Sequence, residues 1–414
     1  MAETVETIIV GAGPAGLSVS CHLTEASHGH IVLERGAVLE TWRSQRWDSF
    51  TLNSPNRLNQ LPGDQRPLAY PDGFWHLDEL LHSFESHANS RKLPVRTGVN
   101  VTGIGPGPGG KGFEISSEAG SYNAVNVVVA TGAMRTPVTP GVKKELPSWL
   151  DQVHTADYRN PEQLKPGGVL VVGSAQSGVQ IAEELIEAGR PVYLCTSKVG
   201  RSPRNYRGRD VLYWALDAGN LDRTVADLED PNMQYAAQGQ VSGTRGGHTI
   251  SLQQLARDGA VVLGGLKGAS GDTIQLRDNL IDNCNFADNA SQRRKDSIDQ
   301  YITKNGIDAP PAEANPIEAS NPALLSAPLR DSLDLKQEGI NTVIWCTGFT
   351  ADFSWIQGLE LDDHGAPVHA NGVSSIHGLY FNEFPWLRNR ASGLIYGAVR
   401  DSEHIAGMIT GGSR

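Results

Sequence analysis

The chain has 414 residues, which is too long for one hydrophobic core and predicts two or three domains. Hydrophobic residues make up 39% and charged residues 20%, an ordinary globular composition that argues against a disordered chain. The formal net charge of −11 argues against a nucleic-acid partner, because surfaces that bind nucleic-acid phosphates normally carry an excess of basic residues.

The four cysteines, Cys21, Cys195, Cys284 and Cys346, lie far apart in the sequence. Because no CxxC pair or metal-type spacing occurs, neither a disulfide framework nor a zinc site is predicted, and no metal is expected. Residues 1–7 carry two glutamates and lead directly into an apolar run, unlike a secretory signal. No apolar run has the length of a membrane span. We therefore expect a cytoplasmic protein.

The first predicted elements are a strand, a glycine-rich turn, a helix and a second strand. Residues 7–10 form the first strand, the turn reads GAGPAG, and residues 31–33 form the second strand. Gly11 permits the tight turn, Gly13 lets the backbone approach a pyrophosphate, and Gly16 lets helix and strand pack closely. Glu34 follows the second strand, where a carboxylate accepts hydrogen bonds from ribose hydroxyls. The order of these features favours a dinucleotide site over an ordinary surface turn.

The same unit recurs in the middle of the chain. Residues 169–172 form a strand, the turn reads GSAQSG, and a helical pattern leads to a strand at 192–195. Gly173, Ala175 and Gly178 occupy the positions of the three glycines of the first unit. Ala175 leaves slightly less room for a pyrophosphate than glycine would.

The second unit differs from the first in the residue after its second strand. Thr196 stands where the first unit has an acid, and Ser197, Lys198, Arg201 and Arg204 follow. Hydroxyl, ammonium and guanidinium groups suit the 2′-phosphate of NADPH better than the free hydroxyls of NAD. The alternative is a solvated basic loop. We expect FAD at the first unit and NADPH at the second.

Two apolar strands end in the dipeptide Thr-Gly. Residues 127–129 lead to Thr131 and Gly132, and residues 343–346 lead to Thr347 and Gly348. Each strand would bring a small turn with an accessible backbone to a bound dinucleotide. For either strand alone, a buried strand followed by a simple turn is an equal alternative.

The motifs GAGPAG, ATG, GSAQSG and CTGF, in this order, resemble those of flavoproteins with two dinucleotide-binding domains. Within that group the chain is similar to the flavin-containing monooxygenase family (class B flavoprotein monooxygenases), including indole-3-pyruvate, amine, sulfide and Baeyer–Villiger monooxygenases, and to bacterial CzcO-type flavoproteins. The resemblance covers nearly the whole chain. It implies an α/β fold with two Rossmann-like domains in a disulfide-reductase-like architecture. The FAD-binding domain would comprise 1–160 and 340–414, with an NADPH-binding domain, 161–339, inserted in it.

The resemblance also assigns residues around the flavin. The sequence LETWR, residues 39–43, resembles the family's Gly-Gly-Thr-Trp turn, although Glu40 replaces a glycine. Asn53 in TLNSP corresponds to an asparagine that faces the flavin, the alternative being a turn asparagine. Ser392 and Gly393 would open a helix whose N-terminus faces the flavin pyrimidine. Of the fingerprint between the domains, only His154 and Tyr158 match, and we favour a structural linker role for His154.

The predicted catalytic residues are Asn53 and Trp42. The predicted cofactor-binding residues are Gly11, Gly13, Pro14, Ala15, Gly16, Glu34, Arg35, Thr41, Trp42, Arg43, Thr131, Gly132, Gly173, Ala175, Gln176, Ser177, Gly178, Ser197, Lys198, Arg201, Arg204, Thr347, Gly348, Ser392 and Gly393.

The resemblance implies a monooxygenase in which NADPH reduces FAD, dioxygen adds at flavin C4a, and one oxygen atom passes to a small organic substrate. That substrate could be an amine, a sulfide, an electron-rich ring, a ketone or a 2-oxo acid. Two alternatives stay open: an NADPH-dependent reductase that passes electrons to a quinone or metal acceptor, and a non-catalytic nucleotide-sensing flavoprotein. The expected partners are the substrate and dioxygen, and a homodimer is left open.

Overall fold

The computed structural model describes residues 2–382 and 384–411. The chain folds into two sheets packed against helices, which confirms the predicted α/β architecture. The strands of the first sheet, in spatial order, are His369–Ala370, Val373–Ser374, Leu379–Phe381, Gly120–Val129, Glu3–Val10, His30–Leu33 and Val95–Arg96. The strands of the second sheet, in spatial order, are Asp151–His154, Ile340–Trp345, Gly168–Val172, Val192–Cys195 and Val261–Leu263.

The two sheets repeat one arrangement. In each, the first strand of the glycine-turn unit pairs in parallel with the second strand of that unit. On its other side it pairs in parallel with the strand that precedes the Thr-Gly turn, Gly120–Val129 in the first sheet and Ile340–Trp345 in the second. Because the carboxyl ends of parallel strands meet at one edge of a sheet, the glycine turn and the Thr-Gly turn are neighbours in both sheets.

Helices and smaller sheets complete the fold. The α-helices are Pro14–Glu25, Glu40–Ser44, Leu77–Ser90, Gln176–Glu187, Val211–Asp217, Leu252–Arg257, Leu280–Asn305, Pro322–Leu325 and Ile395–Thr410. Antiparallel strands form the pairs Asn205–Tyr206 with Arg209–Asp210 and Thr136–Pro137 with Phe349–Thr350, the meander Val101–Pro106, Phe113–Ser117 and Gly120–Val129, and the sheet of Leu266–Ser270, Thr273–Leu276 and Ser332–Asp334.

The first strand shows why these segments form a parallel sheet. Ile8, Ile9 and Val10 are almost completely buried, because helices or loops cover both faces of the strand. Full burial of an aliphatic side chain contributes about 1.5–3 kcal/mol. The helix Pro14–Glu25 starts with a proline in its first turn, where no backbone N–H is needed, and packs against Ile395–Thr410. The C-terminal segment thereby returns to the first domain.

The second sheet extends beyond the predicted segment 161–339. Asp151–His154 and Ile340–Trp345 both pair within it, although the predicted boundaries place them in the first domain. The chain crosses between the sheets where Thr136–Pro137 pairs with Phe349–Thr350. Sequence patterns located the glycine turns but not the edge strand, whose short polar sequence lacks the apolar run of a central strand.

Among residues 2–382 and 384–411, no helix is long and apolar enough to cross a membrane.

Candidate dinucleotide sites and the cleft between them

The glycine turn of the first unit requires glycine at two positions. Gly11 has φ +106°, and a Cβ there would lie 2.5 Å from the carbonyl oxygen of Ala130. A Cβ on Gly16 would lie 1.9 Å from the carbonyl oxygen of Gly11. Gly13, by contrast, has φ −79° and ψ −175°, which any residue can adopt. Glycine at position 13 is therefore not required by the backbone conformation, and its predicted role is to leave space for a ligand.

The second turn has the same geometry. Gly173 also has φ +106°, and a Cβ there would lie 2.4 Å from the carbonyl oxygen of Cys346. A Cβ on Gly178 would lie 1.8 Å from the carbonyl oxygen of Gly173. Ala175 has φ −73° and ψ −171°, an extended conformation open to every residue. Alanine is therefore accommodated here without backbone strain.

A cavity of about 260 Å³, called the first cavity below, lies at the carboxyl edge of the first sheet. It is lined by the predicted residues Gly11, Gly13, Pro14, Glu34, Arg35, Thr41, Trp42, Thr131, Gly132 and Gly393. Glu34 accepts hydrogen bonds from the backbone N–H groups of Ala12, at 2.8 Å, and Gly36, at 3.0 Å. Arg46, Arg135 and Trp355 also line the cavity and were missed by the sequence analysis, since they belong to no recognised motif. This lining suits FAD, because it offers an acid for a ribose, helix N–H groups for a diphosphate, and aromatic rings beside a flavin.

Several predicted residues lie outside the lining of the first cavity. Ala15 and Gly16 are buried in the packing of the first helix. Arg43 forms an ion pair with Glu85 and donates a 3.0 Å hydrogen bond to the carbonyl oxygen of Val38, so a cofactor contact is not supported for it. Glu40, which replaces the family glycine, lines the cavity and accepts a hydrogen bond of 3.0 Å from the N–H of Ala37.

The C-terminal helix starts later than predicted. Ser392 and Gly393 close a 3₁₀ turn, and the helix Ile395–Thr410 begins two residues beyond. Gly393 lines the first cavity, whereas the Ser392 hydroxyl accepts hydrogen bonds from the N–H groups of Arg388, at 3.1 Å, and Asn389, at 3.2 Å. Ser392 therefore organises the turn and does not reach the cavity.

A larger cleft, of about 2090 Å³, lies between the two domains. Its lining includes the predicted residues Gly173, Ala175, Gln176, Ser177, Ser197, Lys198, Thr347 and Gly348. Gly178 is not in the lining, since it packs on Gly173. The cleft shares Ala133, Met134 and Pro385 with the first cavity, so the two spaces meet at these residues.

Comparison with known proteins identifies the family. Residues 8–215 match the family model described as pyridine nucleotide-disulphide oxidoreductase. The chain belongs to this family. A CzcO-like oxidoreductase of Geobacillus kaustophilus is 29% identical, with 99% of each chain covered. The indole-3-pyruvate monooxygenase YUCCA1 of Oryza sativa subsp. japonica is 30% identical over 49% of this chain and 50% of its own. A solved flavin-containing monooxygenase from Stenotrophomonas maltophilia matches with a TM-score of 0.66 at 17% identity, with 99% of each chain covered.

These likenesses confirm the predicted resemblance and the predicted fold with two dinucleotide-binding units. As a member of the pyridine nucleotide-disulphide oxidoreductase family, the protein is an oxidoreductase that uses FAD and a pyridine nucleotide, as predicted.

The predicted 2′-phosphate role of Arg201 and Arg204 in this oxidoreductase is contradicted by their surroundings. Arg201 is 4% exposed and forms ion pairs with Asp288, at 2.8 Å, and Glu318, at 3.1 Å. Arg204 is 1% exposed and forms an ion pair of 2.7 Å with Asp210. Neither residue lines the cleft. Both guanidinium groups are buried with carboxylate partners, so they are not available to a nucleotide phosphate.

Other basic residues face the cleft at this point. Lys198 and Arg277 line it, and within the described residues neither side chain forms an ion pair. Arg277 follows the strand Thr273–Leu276, and its backbone N–H donates a 2.7 Å hydrogen bond to the carbonyl oxygen of Gly265. Gly265 lies beside Thr196, the residue that occupies the position of the acid of the first unit. Arg277 is thus a candidate phosphate-binding residue. The sequence could reveal it only if the strand pairing were known.

Asn53 lies between the domains and outside the lining of both cavities. Its side-chain oxygen accepts hydrogen bonds from Gln180, at 3.1 Å, and from the N–H of Gly243, at 3.0 Å. The structure therefore does not support the predicted catalytic role. Trp42, the other predicted catalytic residue, lines the first cavity, where Arg46 lies 4.9 Å over its ring.

His154 and Tyr158 occupy the linker that enters the second domain of this oxidoreductase. The N–H of Ala156 donates to His154 Nδ1 at 3.1 Å, so Nε2 carries the proton and donates to the carbonyl oxygen of Gly348 at 3.2 Å. Burial lowers the pKa of His154. The completely buried Tyr158 donates a 2.6 Å hydrogen bond to Glu184. These contacts fit the predicted structural linker role of His154.

Proposed function

We propose that the protein is an FAD- and NADPH-dependent monooxygenase that forms an oxygen adduct at flavin C4a and transfers one oxygen atom to a small organic substrate. The observation that carries this proposal is the junction of the first cavity with the cleft at Ala133, Met134 and Pro385. A nicotinamide held at the second glycine turn would reach a flavin held at the first through this junction. FAD would supply the hydride-accepting and oxygen-activating chemistry.

The chain itself would position and shield the reacting groups. Trp42 packs edge-to-face on the buried Phe50, with ring centroids 5.9 Å apart, and Arg46 lies 5.4 Å over the ring of Phe50. Trp42 lines the first cavity and Phe50 supports its ring from behind, and this apolar wall would limit the access of water. Trp386 and Phe384 line the cleft near the junction and would enclose the substrate.

We also propose that the second site selects NADPH through Ser197, Lys198 and Arg277. Ser197 and Lys198 directly follow Thr196, whose hydroxyl donates 2.7 Å to the carbonyl oxygen of Leu263. The hydroxyl of Thr196 is therefore already hydrogen-bonded, whereas Lys198 and Arg277 are exposed residues that line the cleft. The ammonium of Lys198 lies 5.0 Å from the ring centroid of Phe286. Two cations beside the adenosine ribose would favour a dianionic 2′-phosphate.

Disulfide chemistry, which the family description includes, is not favoured. Cys21, Cys195, Cys284 and Cys346 are all buried and unpaired. Burial raises the pKa of each of the four thiols to about 12. A neutral buried thiol is a poor nucleophile toward a disulfide substrate. A reductase that passes electrons to a quinone or metal complex is the rival that the experiment below distinguishes.

The test is anaerobic reduction with NADPH, followed by mixing with oxygenated buffer in a stopped-flow spectrometer. A matched sample is reduced with dithionite, so that NADP⁺ is absent. We expect a transient absorbance of the C4a-oxygen adduct in the NADPH-reduced sample, decaying more slowly than in the dithionite-reduced one. Immediate return of oxidised flavin with stoichiometric peroxide in both samples, together with fast turnover of a quinone, would instead support the reductase.

A further inference from the structure

The structure contains a group of three arginines beside the cleft, and two of them have no side-chain partner among residues 2–382 and 384–411. Arg294 lies on the helix Leu280–Asn305, and Arg390 lies in the turn after Trp386–Arg388. Both are half-buried, and within the described residues neither side chain makes a hydrogen bond or an ion pair. Arg223, also half-buried, joins them. These three residues are called the arginine cluster below.

Packing brings the members of the cluster together. The N–H of Arg390 donates a 2.8 Å hydrogen bond to the carbonyl oxygen of Arg223. The short helix Val211–Asp217 connects Arg390 to the helix of Arg294. Its Ala215 belongs to the same apolar cluster as Ala391, the residue after Arg390. Its Trp214 belongs to the same apolar cluster as Ile298, one turn beyond Arg294.

The positive charges of the cluster lower the pKa values of two of its members. Burial, and after it the positive charge of Arg390, lower the pKa of Arg294 to about 10. Burial, and after it the positive charge of Arg223, lower the pKa of Arg390. Arg294 and Arg390 therefore stay positive at neutral pH and repel one another in a place that water reaches poorly. Such an arrangement costs free energy unless an anion compensates it.

The acidic residues close to Arg223 in the sequence, and Asp401, which follows Arg390 by eleven residues, have partners outside the cluster. Asp296, two residues after Arg294, accepts a hydrogen bond of 2.8 Å from Gln292. Asp222 pairs with Arg400 at 2.6 Å, and Asp401 pairs with Arg388 at 3.4 Å. Asp227 accepts hydrogen bonds from the backbone N–H of Thr224 at 2.7 Å and from its hydroxyl at 2.9 Å, while Arg223 donates 2.5 Å to the carbonyl oxygen of Asp227. Within the part of the chain that the structure describes, Arg294 and Arg390 have no carboxylate partner.

None of the three arginine side chains lines the cleft, but residues next to them in the chain do, so that the cluster borders the end of the cleft. Thr224, next to Arg223, and Arg388, close to Arg390, both line the cleft. Asn283 lines it as well, and lies about three turns before Arg294 on the same side of the helix. A molecule in the cleft could therefore place one end at the cluster and the other toward the junction with the first cavity.

We propose that Arg294 and Arg390, supported by Arg223, bind an oxyanion group of the substrate, so that the substrate is a small organic carboxylate or phosphate ester. This inference rests on the proposed function, because it takes the cleft as the substrate site. Two guanidinium groups match the two oxygens of a carboxylate or phosphate and would hold that end of the molecule by charge-assisted hydrogen bonds. The uncharged end would then face the flavin.

The test is isothermal titration of the oxidised, FAD-loaded protein, without NADPH, using phenylacetate, phenyl phosphate and the uncharged phenylacetamide. We expect at least one of the two anions to bind about tenfold or more tightly than phenylacetamide, since hydrogen bonds to charged groups contribute about 1.5–3 kcal/mol. Arg294→Gln and Arg390→Gln should each remove this preference. Lys304→Gln, an exposed residue at the end of the same helix, should retain it.

The preferred anion then identifies the substrate class as a carboxylate or a phosphate ester. Equal binding of phenylacetamide and both anions, or equal behaviour of Arg294→Gln and Lys304→Gln, would overturn the inference. Inorganic phosphate that binds as tightly as either organic anion would overturn the assignment to substrate. Because no oxygen chemistry enters this titration, the inference and the monooxygenase proposal can fail separately.

A stability measurement separates ligand binding from a structural role. Without any anion, Arg294→Gln relieves repulsion from Arg390, so its thermal unfolding midpoint should equal or exceed that of the wild type. A lower midpoint would show that Arg294 stabilises the fold and would count against an anion site.

Discussion

The guanidinium of Arg204 donates a hydrogen bond of 2.8 Å to the backbone carbonyl oxygen of Asn53. This contact joins two residues that the sequence assigned to two different cofactor sites, and it places both of them in the interface between the domains. Arg204 also lies 4.8 Å over the ring of Phe74. Its neighbours are thus a carbonyl, an aromatic ring and the carboxylate of Asp210, and not a nucleotide.

Arg204→Ala should destabilise the protein without changing its choice between NADPH and NADH. Removing one partner of a buried ion pair leaves the other charge uncompensated and costs about 3–5 kcal/mol. The free energy of unfolding in urea measures this loss. The exposed pair Arg209–Asp217 provides the control, since Arg209→Ala should cost less than about 1 kcal/mol. Equal losses in the two variants would contradict the structural role of Arg204.

Lys198→Ala and Arg277→Ala should each raise the KM for NADPH about tenfold or more and leave the KM for NADH unchanged. The reason is that a hydrogen bond to a charged group contributes about 1.5–3 kcal/mol and only NADPH carries the 2′-phosphate. Steady-state flavin reduction with both nucleotides measures the two constants. Lys304→Ala, which removes a positive charge outside the cleft, serves as control. A parallel rise for both nucleotides would show that the variants disturb folding or the shared part of the nucleotide.

Gly13→Val should abolish the binding of FAD while the protein stays folded. The backbone angles of Gly13 suit valine, so the added side chain would act by filling the approach to the helix N-terminus. Flavin absorbance per chain and circular dichroism test the two parts of this statement. Gly141→Val is the matched control, because a Cβ on Gly141 meets no atom within 4 Å and Gly141 does not line the first cavity. Full flavin content in Gly13→Val would refute the first site.

Glu184→Gln should become more stable relative to the wild type as the pH rises from about 4.5 to 7. Burial raises the pKa of Glu184 although Ser49, at 2.5 Å, and Tyr158 donate hydrogen bonds to it. The folded protein therefore holds this proton more tightly than the unfolded chain, and stability is lost as the pH rises from the unfolded pKa through the folded one. Glutamine stays neutral and avoids this loss.

Urea midpoints of the wild type and Glu184→Gln across that pH range give the difference, in which the other titrating groups cancel. Glu187→Gln on the exposed side of the same helix is the control. A difference that is constant with pH, or that favours the carboxylate at pH 7, would show that the hydrogen bonds from Ser49 and Tyr158 outweigh burial.

Features that depend on neighbouring residues in the chain were predictable. The turns at Gly11 and Gly173 are examples, because the left-handed φ and the close carbonyl of the adjoining strand admit only glycine. The helices after these turns and the paired Thr-Gly strands follow from apolar periodicity. The structural linker role that the sequence analysis favoured for His154 also agrees with the contacts of this residue.

Features that depend on partners far away in the sequence could not be predicted. Arg201 lies close in sequence to the strand Val192–Cys195, yet carboxylates from distant segments, Asp288 and Glu318, neutralise it. The remote partner of Arg204 is the carbonyl oxygen of Asn53. Arg277 carries no motif and reaches the second site because an antiparallel strand pair places it there.

The sequence by itself therefore determined the two dinucleotide folds and the residues of their turns, since these are set by local backbone conformation and by the period of the apolar residues. Only the tertiary structure decided which charged side chains face the cleft and which are buried in ion pairs. The physical reason is that the state of a charged side chain depends on what surrounds it in space, which is the carboxylate of Asp210 for Arg204 and the open cleft for Arg277.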